Sequence, residues 1–495
     1  MGDGDGESPH GELYARAAGL AAAYLAGLPD RPVAPRASGQ QLRAHFGGEL
    51  PEVGEDPVQL IEDLARRADP GLMASSGPRF FGVVAGGTHP AAVAADWLVS
   101  AWDQNLGRHL LGPAAAVMED TAARWLVELL GLRPRQGAAV SCGFTPGGTA
   151  AHLTGLAAAR HELLKAEGWD VERRGLYGSP ELHVVVPAEA HVTIGLALQY
   201  LGLGRDRVHV APVDEQGRMS VDALPGILVR CAGPTIVCAQ ASNVHTGAAD
   251  PLPEIVDATR RHGGWLHVDG GFGLWAAASP ALRHVVAGIE HADSWSSDAH
   301  KWLNVPYDSG LAFCAHPTAY RTAVAAATPY LSQSGGAEPD FSSEWVPEIS
   351  RRARGVPIYA LLRALGRTGV ADLVERSCAL ARRMADQLAA EQGITVLNDV
   401  SLNLVLARCT PPGVSDDVAD AVTRSVIAAV QGEGTCWLGG TTWRGRAAIR
   451  VSVSNWATTS DDVDRAAAAV LAAVRRLGAA PPDVVVPLWR AGDGA

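Results

Sequence analysis

"DSWSSDAHKWLNVPYDSG", residues 293–310, sets Lys301 directly after His300, between a polar turn and a Trp-Leu pair. A lysine on a solvated face keeps company with other charges, whereas the only basic neighbour in this stretch is His300. The surroundings read as the buried lip of a sheet. An amine drawn out of water gives up its proton more readily and becomes a nucleophile able to form a Schiff base with a carbonyl.

Outward from this stretch, short apolar runs alternate with helical ones. The runs are "GAAVSCGF" (137–144), "ELHVVVPAEA" (181–190), "RVHVAPV" (207–213), "GPTIVCAQAS" (233–242), "GWLHVDGG" (264–271) and "SGLAFCAH" (309–316). Strands of this length separated by helices predict an α/β fold with a mostly parallel sheet covered on both faces. Before it, "GELYARAAGLAAAYLAG" (11–27) and "DPVQLIEDLARRA" (56–68) have helical spacing around a Pro-rich connector, which predicts an N-terminal helical arm over residues 1–90. A large domain then spans 91–370. Residues 371–495 predict a small α+β domain with two or three strands, from "ITVLN" (394–398), "SLNLVLARC" (401–409) and "AAIRVSVSN" (447–455), closed by a strap over 480–495.

With 495 residues, nearly half apolar, the chain can bury a large core. A net charge of −12 argues against a nucleic-acid partner, which calls for a basic face. Small solutes are the expected ligands. The seven cysteines lack a regular framework and their odd number fits reduced thiols, hence a cytoplasmic setting. The acidic, Gly-rich first residues do not read as a secretory leader, and no run of about 18 apolar residues predicts a membrane span.

Four features carry chemistry. In "SCGFTPGGTAAHLTGLAAAR" (141–160) a strand ends, a Gly-rich turn follows, and a helix begins near Thr149. Free N–H groups there, with a small hydroxyl, suit a phosphate, though a plain structural turn explains the glycines equally well. In "GWLHVDGGFGLWA" (264–276) Asp269 ends an apolar strand, facing the crevice where parallel sheets bind ligands; a pyridinium N–H is one partner, a helix cap the alternative. His191, in "PAEAHVTIGLALQYLG" (187–202), interrupts an apolar region before a helix, either as a ring over the crevice or as a cap. Lys301 is the fourth. A phosphate-type turn, a ring-stacking candidate, a strand-end acid and a separate lysine, in this order, together match the needs of pyridoxal 5′-phosphate (PLP).

These motifs, with "GPRFFGVVAGGTHPAAVAADWL" (77–98), "CAQASNVHTGAADPL" (238–252), "SRRARGVPIYALLRALGRTG" (350–369) and "IRVSVSNWATTSDDVD" (449–464), resemble the group II PLP-dependent decarboxylases, which include the aromatic amino acid and glutamate decarboxylases. The resemblance spans residues 55 to 475. It implies the fold-type I architecture, with a seven-stranded, mostly parallel sheet, and a homodimer with active sites at the subunit interface. It also implies an L-amino acid substrate and Lys301 as the covalent attachment point. Asp269 would pair with the pyridine nitrogen and His191 would stack on the ring. Gly148 and Thr149 would hold the phosphate, with Asn243, Asp298 and His300 as further cofactor contacts. Arg450 matches a strand arginine of the small domain.

The chain departs from the family pattern at several places. Ala150 follows Thr149 where an acid is common, Asp298 replaces an asparagine, and "ASNVHTGA" leaves Asn243 and Thr246 as the polar candidates after its strand. Where the aromatic decarboxylases carry a proton-donating loop tyrosine stand Phe341 and Ser342, with Tyr330 upstream. Despite these departures, the resemblance makes decarboxylation the expected activity. Decarboxylation with oxidation to an aldehyde, transamination, and an idle scaffold are the alternatives. Phe80, Phe81, His109, Trp437 and Trp443 are candidates for an aromatic substrate pocket or for the core, and Arg351, Arg352 and Arg450 for an acidic one.

Overall fold

The computed structural model describes residues 10–107, 109–135, 139–325 and 344–478. The strap expected over 480–495 and the positions Tyr330, Phe341 and Ser342 lie outside the described residues. Helices α1 (Gly11–Gly27), α2 (Gly39–Phe46) and α3 (Pro57–Ala68) form the N-terminal arm. Asp56 caps α3, its carboxylate accepting the N–H groups of Val58 and Gln59 at 3.0 Å, and Pro57 follows at the first helical position. No side chain of the three helices is fully buried.

Strand β1 (Phe80–Phe81) and helices α4 (Pro90–Trp102) and α5 (Pro113–Leu130) lead into the large unit. There β2 (Ser141–Thr145), α6 (Gly148–Ala166), α7 (Val171–Arg174), β3 (His183–Pro187), α8 (Val192–Tyr200) and β4 (His209–Ala211) come first. They are followed by α9 (Leu224–Leu228), β5 (Thr235–Gln240), α10 (Leu252–Arg261), β6 (Trp265–Asp269), β7 (Ser294–Asp298), β8 (Gly310–Cys314) and α11 (Pro317–Val324). The sheet has seven strands in the order β2-β8-β7-β6-β5-β3-β4. Only β8 runs against its neighbours.

One of the seven strands is not visible as an apolar run. Residues 294–298, expected as a polar turn, form β7, and all five of its residues are buried. A polar run can cross a core when each polar atom finds a partner. Ser294 Oγ accepts the indole N–H of Trp265 at 2.9 Å, and Ser297 Oγ donates to Gly270 O at 3.2 Å.

The second unit contains α12 (Gly355–Ala389), β9 (Ile394–Val396), β10 (Leu404–Cys409), α13 (Asp416–Glu433), β11 (Trp437–Trp443), β12 (Arg446–Ser452) and α14 (Ser460–Gly478). Its sheet has five strands, β1-β11-β12-β10-β9, instead of two or three. Strand β11, "WLGGTTW", is masked in the sequence by two glycines, which weaken a strand pattern. Strand β1 comes from the arm and pairs in parallel with β11, so Phe80 and Phe81 belong to this sheet. The junction at 370/371 falls inside α12, which bends at Gly366, where φ is +61°, and runs from one unit into the other. All seven cysteines are buried and unpaired. No helix among the described residues is long and apolar enough to cross a membrane.

Candidate active site

The carboxyl ends of the parallel strands open into a cleft of about 350 Å³. Gly148, Thr149, His191, Asp269, Asp298, His300, Lys301 and Arg450 all line it, drawn from residues spread over 300 positions of sequence. Crossovers in a parallel sheet bring every strand end to the same edge, which is why such sheets bind ligands there.

Lys301 is held by a turn that leaves β7. Trp302 is fully buried behind it, and Asn304, at φ +59°, donates from Nδ2 to Trp302 O at 2.7 Å and to Ser454 O at 2.9 Å. Asparagine tolerates this left-handed backbone, and here it ties the lysine turn to the second unit. The segment before α4 passes directly over the lysine: a Cβ on Gly86 would come within 1.6 Å of Lys301 O, so only glycine fits. Val83 and Val84, at φ +46° and +57°, are β-branched residues in left-handed backbone that line the cleft mouth.

The lysine is not unpaired. Its Nζ lies 2.8 Å from Asp298 Oδ2, in a side chain 24% exposed. The separation from other charges expected from the sequence is corrected by a turn geometry that brings positions 298 and 301 together. Asp298 Oδ1 is buried without a hydrogen-bond partner, as are His300 Nδ1 and Arg450 Nε. His300 packs its ring on Tyr307 at 4.3 Å, and burial pushes its imidazole below the usual histidine range.

Asp269 ends β6, and its Oδ1 accepts the N–H of Gly271 at 3.0 Å. A methyl group on Gly271 would stand 3.1 Å from Lys301 Nζ and 3.3 Å from Asp269 Oδ1, so glycine keeps open the gap between amine and acid. Burial works against charge on Asp269, yet His152, His191 and Lys301 outweigh it and hold the carboxyl well below the ordinary range.

The sequence reading missed His152, on the buried face of α6. Its Nε2 lies 3.5 Å from Asp269 Oδ2, its Nδ1 lies 2.9 Å from His267 Nε2, and His267 Nδ1 lies 2.8 Å from Ser294 Oγ. Burial pushes His267 down to about 3, so its ring is neutral at physiological pH. One proton arrangement satisfies every atom: Ser294 O–H donates to His267 Nδ1, His267 Nε2–H donates to His152 Nδ1, and His152 Nε2–H faces the carboxylate. The chain orients Asp269 and keeps it ionised. A histidine three positions after Thr149 in a helix otherwise rich in alanine was the available signal.

A second signal was the scarcity of lysine. Of 41 Lys and Arg residues only Lys165 and Lys301 are lysine, and Lys165 is exposed on the last turn of α6. A chain that uses arginine nearly everywhere has kept lysine where an amine, and not a guanidinium, can condense with a carbonyl.

His191 caps α8, its Nδ1 accepting the N–H of Thr193 at 3.4 Å while its ring lines the cleft; burial pushes the imidazole down. The cap and the cleft-facing ring are thus one residue. At the start of α6, the glycine turn packs against β8, where a Cβ on Gly310 would meet Gly147 Cα at 2.5 Å. The first-turn N–H groups of α6 have no intrahelical acceptor and face the cleft beside the Thr149 side chain.

Other candidates are placed elsewhere. Asn243 does not line the cleft; its Nδ2 donates to Glu189 Oε2 at 2.9 Å and its Oδ1 accepts the N–H of His245 at 2.8 Å, which makes it the organiser of the turn after β5. Its neighbours Ser242 and Val244 face the cleft instead. Phe81 packs in the core of the second unit and Phe80 against Leu28 and Val33, because strand pairing turns both away. Trp443 Nε1 donates to Glu189 Oε2 at 3.1 Å, and neither it, Trp437 nor His109 lines the cleft. Arg351 is committed to Glu119 at 2.7 Å and Arg352 to Asp96 at 2.7 Å. Of the three arginines only Arg450 faces the cleft, where burial pushes it down to about 10. A larger groove of about 710 Å³ runs along α5 and β2 and contains no lysine or histidine.

A mostly parallel sheet with a lysine turn, a strand-end acid and a phosphate-type helix start defines the fold-type I class of PLP enzymes. Residues 40–410 match the pyridoxal-dependent decarboxylase conserved domain, and the chain belongs to that family of PLP-dependent lyases. It is 27% identical to an aromatic-L-amino-acid decarboxylase of Bacillus atrophaeus, over 91% of this chain and 92% of that one. It is 26% identical to a 4-hydroxyphenylacetaldehyde synthase of Rhodiola rosea, over 84% and 85%. The fold superimposes on Oryza sativa TDC, solved with PLP and tryptamine, with a TM-score of 0.87 and 21% identity, over 96% of this chain and 99% of that one.

Proposed function

We propose that the chain decarboxylates an L-amino acid to the corresponding amine in this cleft. The observation that carries the reading is the convergence of Lys301, Asp269 and His191 in one cleft with Arg450, a partly buried cation without a carboxylate partner among the described residues. PLP supplies an electron sink that accepts the pair released when a bond at the amino acid's α-carbon breaks.

The protein's residues divide the remaining work. Lys301 would hold the cofactor through its amine, and with His300, which lines the same cleft, would be placed to move protons. Asp269 would keep a proton on the pyridine nitrogen, and His191 would cover the ring. Gly148, Thr149 and the first turn of α6 would bind the phosphate. The orphaned polar atoms of Asp298 and His300 beside that turn fit a ligand that brings both donors and acceptors. Arg450 would receive a substrate carboxylate and so help orient the amino acid in the cleft. Arg450→Gln is expected to raise KM about 10- to 100-fold with a smaller fall in kcat, since a charge-assisted hydrogen bond contributes about 1.5–3 kcal/mol. Steady-state kinetics on an accepted amino acid check it.

A second reading, decarboxylation with oxidation to an aldehyde, is favoured by the Phe341-Ser342 pair at the place of the family's loop tyrosine and by the likeness to an aldehyde synthase. Mass analysis of products under air and under argon decides. Amine alone under both supports the first reading, and oxygen-dependent aldehyde with hydrogen peroxide supports the second. Absence of CO₂ release from every common amino acid would overturn both.

The same reading includes a homodimer. The arm helices bury nothing fully, and α4 exposes Trp97, Leu98 and Trp102, an apolar surface unsuited to water. Small-angle scattering is expected to give a mass of two chains, about 103 kDa from 51.6 kDa each. A monomer active at the same concentration would contradict it. The buried, unpaired thiols fit a reducing, cytoplasmic setting.

A further inference from the structure

The amino ends of the parallel strands hold a second cluster with no part in the chemistry above. His183 is the first residue of β3 and His209 the first of β4, and in parallel register His209 stands beside Val185, two residues along from His183 on the same sheet face. Their rings are 5.3 Å apart, with His183 Nδ1 only 3.2 Å from His209 Nε2. Cys231, in the turn between α9 and β5, is buried against the same face. One ligand atom from each of the three lies within 4.8 Å of the others.

We propose that His183, His209 and Cys231 form a zinc site that clamps the edge of the large sheet. Zinc bonds of about 2.0–2.1 Å to nitrogen and 2.3 Å to sulfur, at tetrahedral angles, separate two nitrogens by about 3.3 Å and a nitrogen from the sulfur by about 3.6 Å. The observed 3.2 Å between the two ring nitrogens already meets the first of these. Two neutral imidazoles in this pose share at most one hydrogen bond, whereas a cation takes both lone pairs. Two imidazoles and a thiolate suit a borderline-soft ion such as zinc and disfavour magnesium or calcium, which require oxygen ligands. Both histidines are only partly buried, so an ion reaches them from solvent, and the fourth position is left to water. The one arginine beside the thiol, Arg230, is exposed and donates to Gly226 O at 3.0 Å.

The benefit is mechanical. Strand β4 is the outer strand of the sheet, three residues long, and an ion held by β3, β4 and the turn before β5 fixes that edge. His183 begins β3 while Asp269 ends β6, and the strands are parallel, so the zinc site and the cleft lie at opposite ends of the sheet, about 15 Å of strand apart.

The test uses the full chain without a histidine tag, incubated with zinc sulfate, desalted, and assayed for zinc and PLP per chain. One zinc per chain is expected, with a sulfur shell at about 2.3 Å in its X-ray absorption spectrum. Cys231→Ala and His209→Gln are each expected to bind zinc at least tenfold more weakly, with PLP content unchanged. Zinc lost on desalting, equal retention by both variants, or an absorption spectrum without sulfur overturns the proposal. The wild-type spectrum decides even if a variant does not fold, and because PLP is counted separately the outcome is independent of the catalytic reading.

Discussion

Lys301→Ala is expected to abolish turnover and to leave PLP bound only non-covalently, released on gel filtration. The amine sits at the cleft floor between Asp298 and the opening that Gly271 preserves toward Asp269. The chain's other lysine, Lys165, is on the surface at the far end of α6. Borohydride reduction of the wild type followed by peptide mapping therefore has two possible outcomes, and a reduced adduct on Lys301 is the expected one. A covalent adduct on Lys165, or turnover in Lys301→Ala above a few parts per thousand of wild type, would remove the lysine from its assigned role. Loss of a group that acts only as structural support would also lower stability, so the variant's thermal midpoint within about 3 °C of wild type is part of the expected result.

Asp269→Asn is expected to fold and bind PLP but to lose about 10²- to 10³-fold in kcat, equivalent to about 2.7–4 kcal/mol of transition-state stabilisation. Its carboxylate, kept ionised against burial by His152, His191 and Lys301, would hold a proton at the pyridine nitrogen in the proposed role; an amide could not. His152→Ala should lie between the variant and wild type. It removes the donor 3.5 Å from Asp269 Oδ2 and leaves His267 Nε2 without a partner, but not the charge itself. Steady-state kinetics with an absorbance titration of each holoenzyme check both. Wild-type turnover in Asp269→Asn would show that the acid only caps its turn through Gly271, as the bond from that N–H would permit.

Local order was largely legible because it depends on local chemistry. The helix over 11–27 follows from apolar spacing, and α3 begins where an Asp-Pro pair caps and starts it. Six of the seven strands of the large sheet announced themselves as short apolar runs. The order of the phosphate turn, His191, Asp269 and Lys301 was also legible, since each ends or follows a recognisable element.

What only the tertiary structure decided concerns polar atoms whose partners are distant in sequence. Strand β7 reads as a turn until Trp265, His267 and Gly270 are placed against its serines. The pairing of Phe80 and Phe81 with Trp437 and Leu438 joins residues 357 positions apart, and no periodicity reports it. Asn243, Arg351 and Arg352 look available in sequence and are committed in the fold, while His152 looks like an incidental helix residue and supports the acid of the site. Hydrophobic pattern selects which face of an element is buried. Which buried polar group meets which is set by strand order and register, and these follow from packing the whole chain at once.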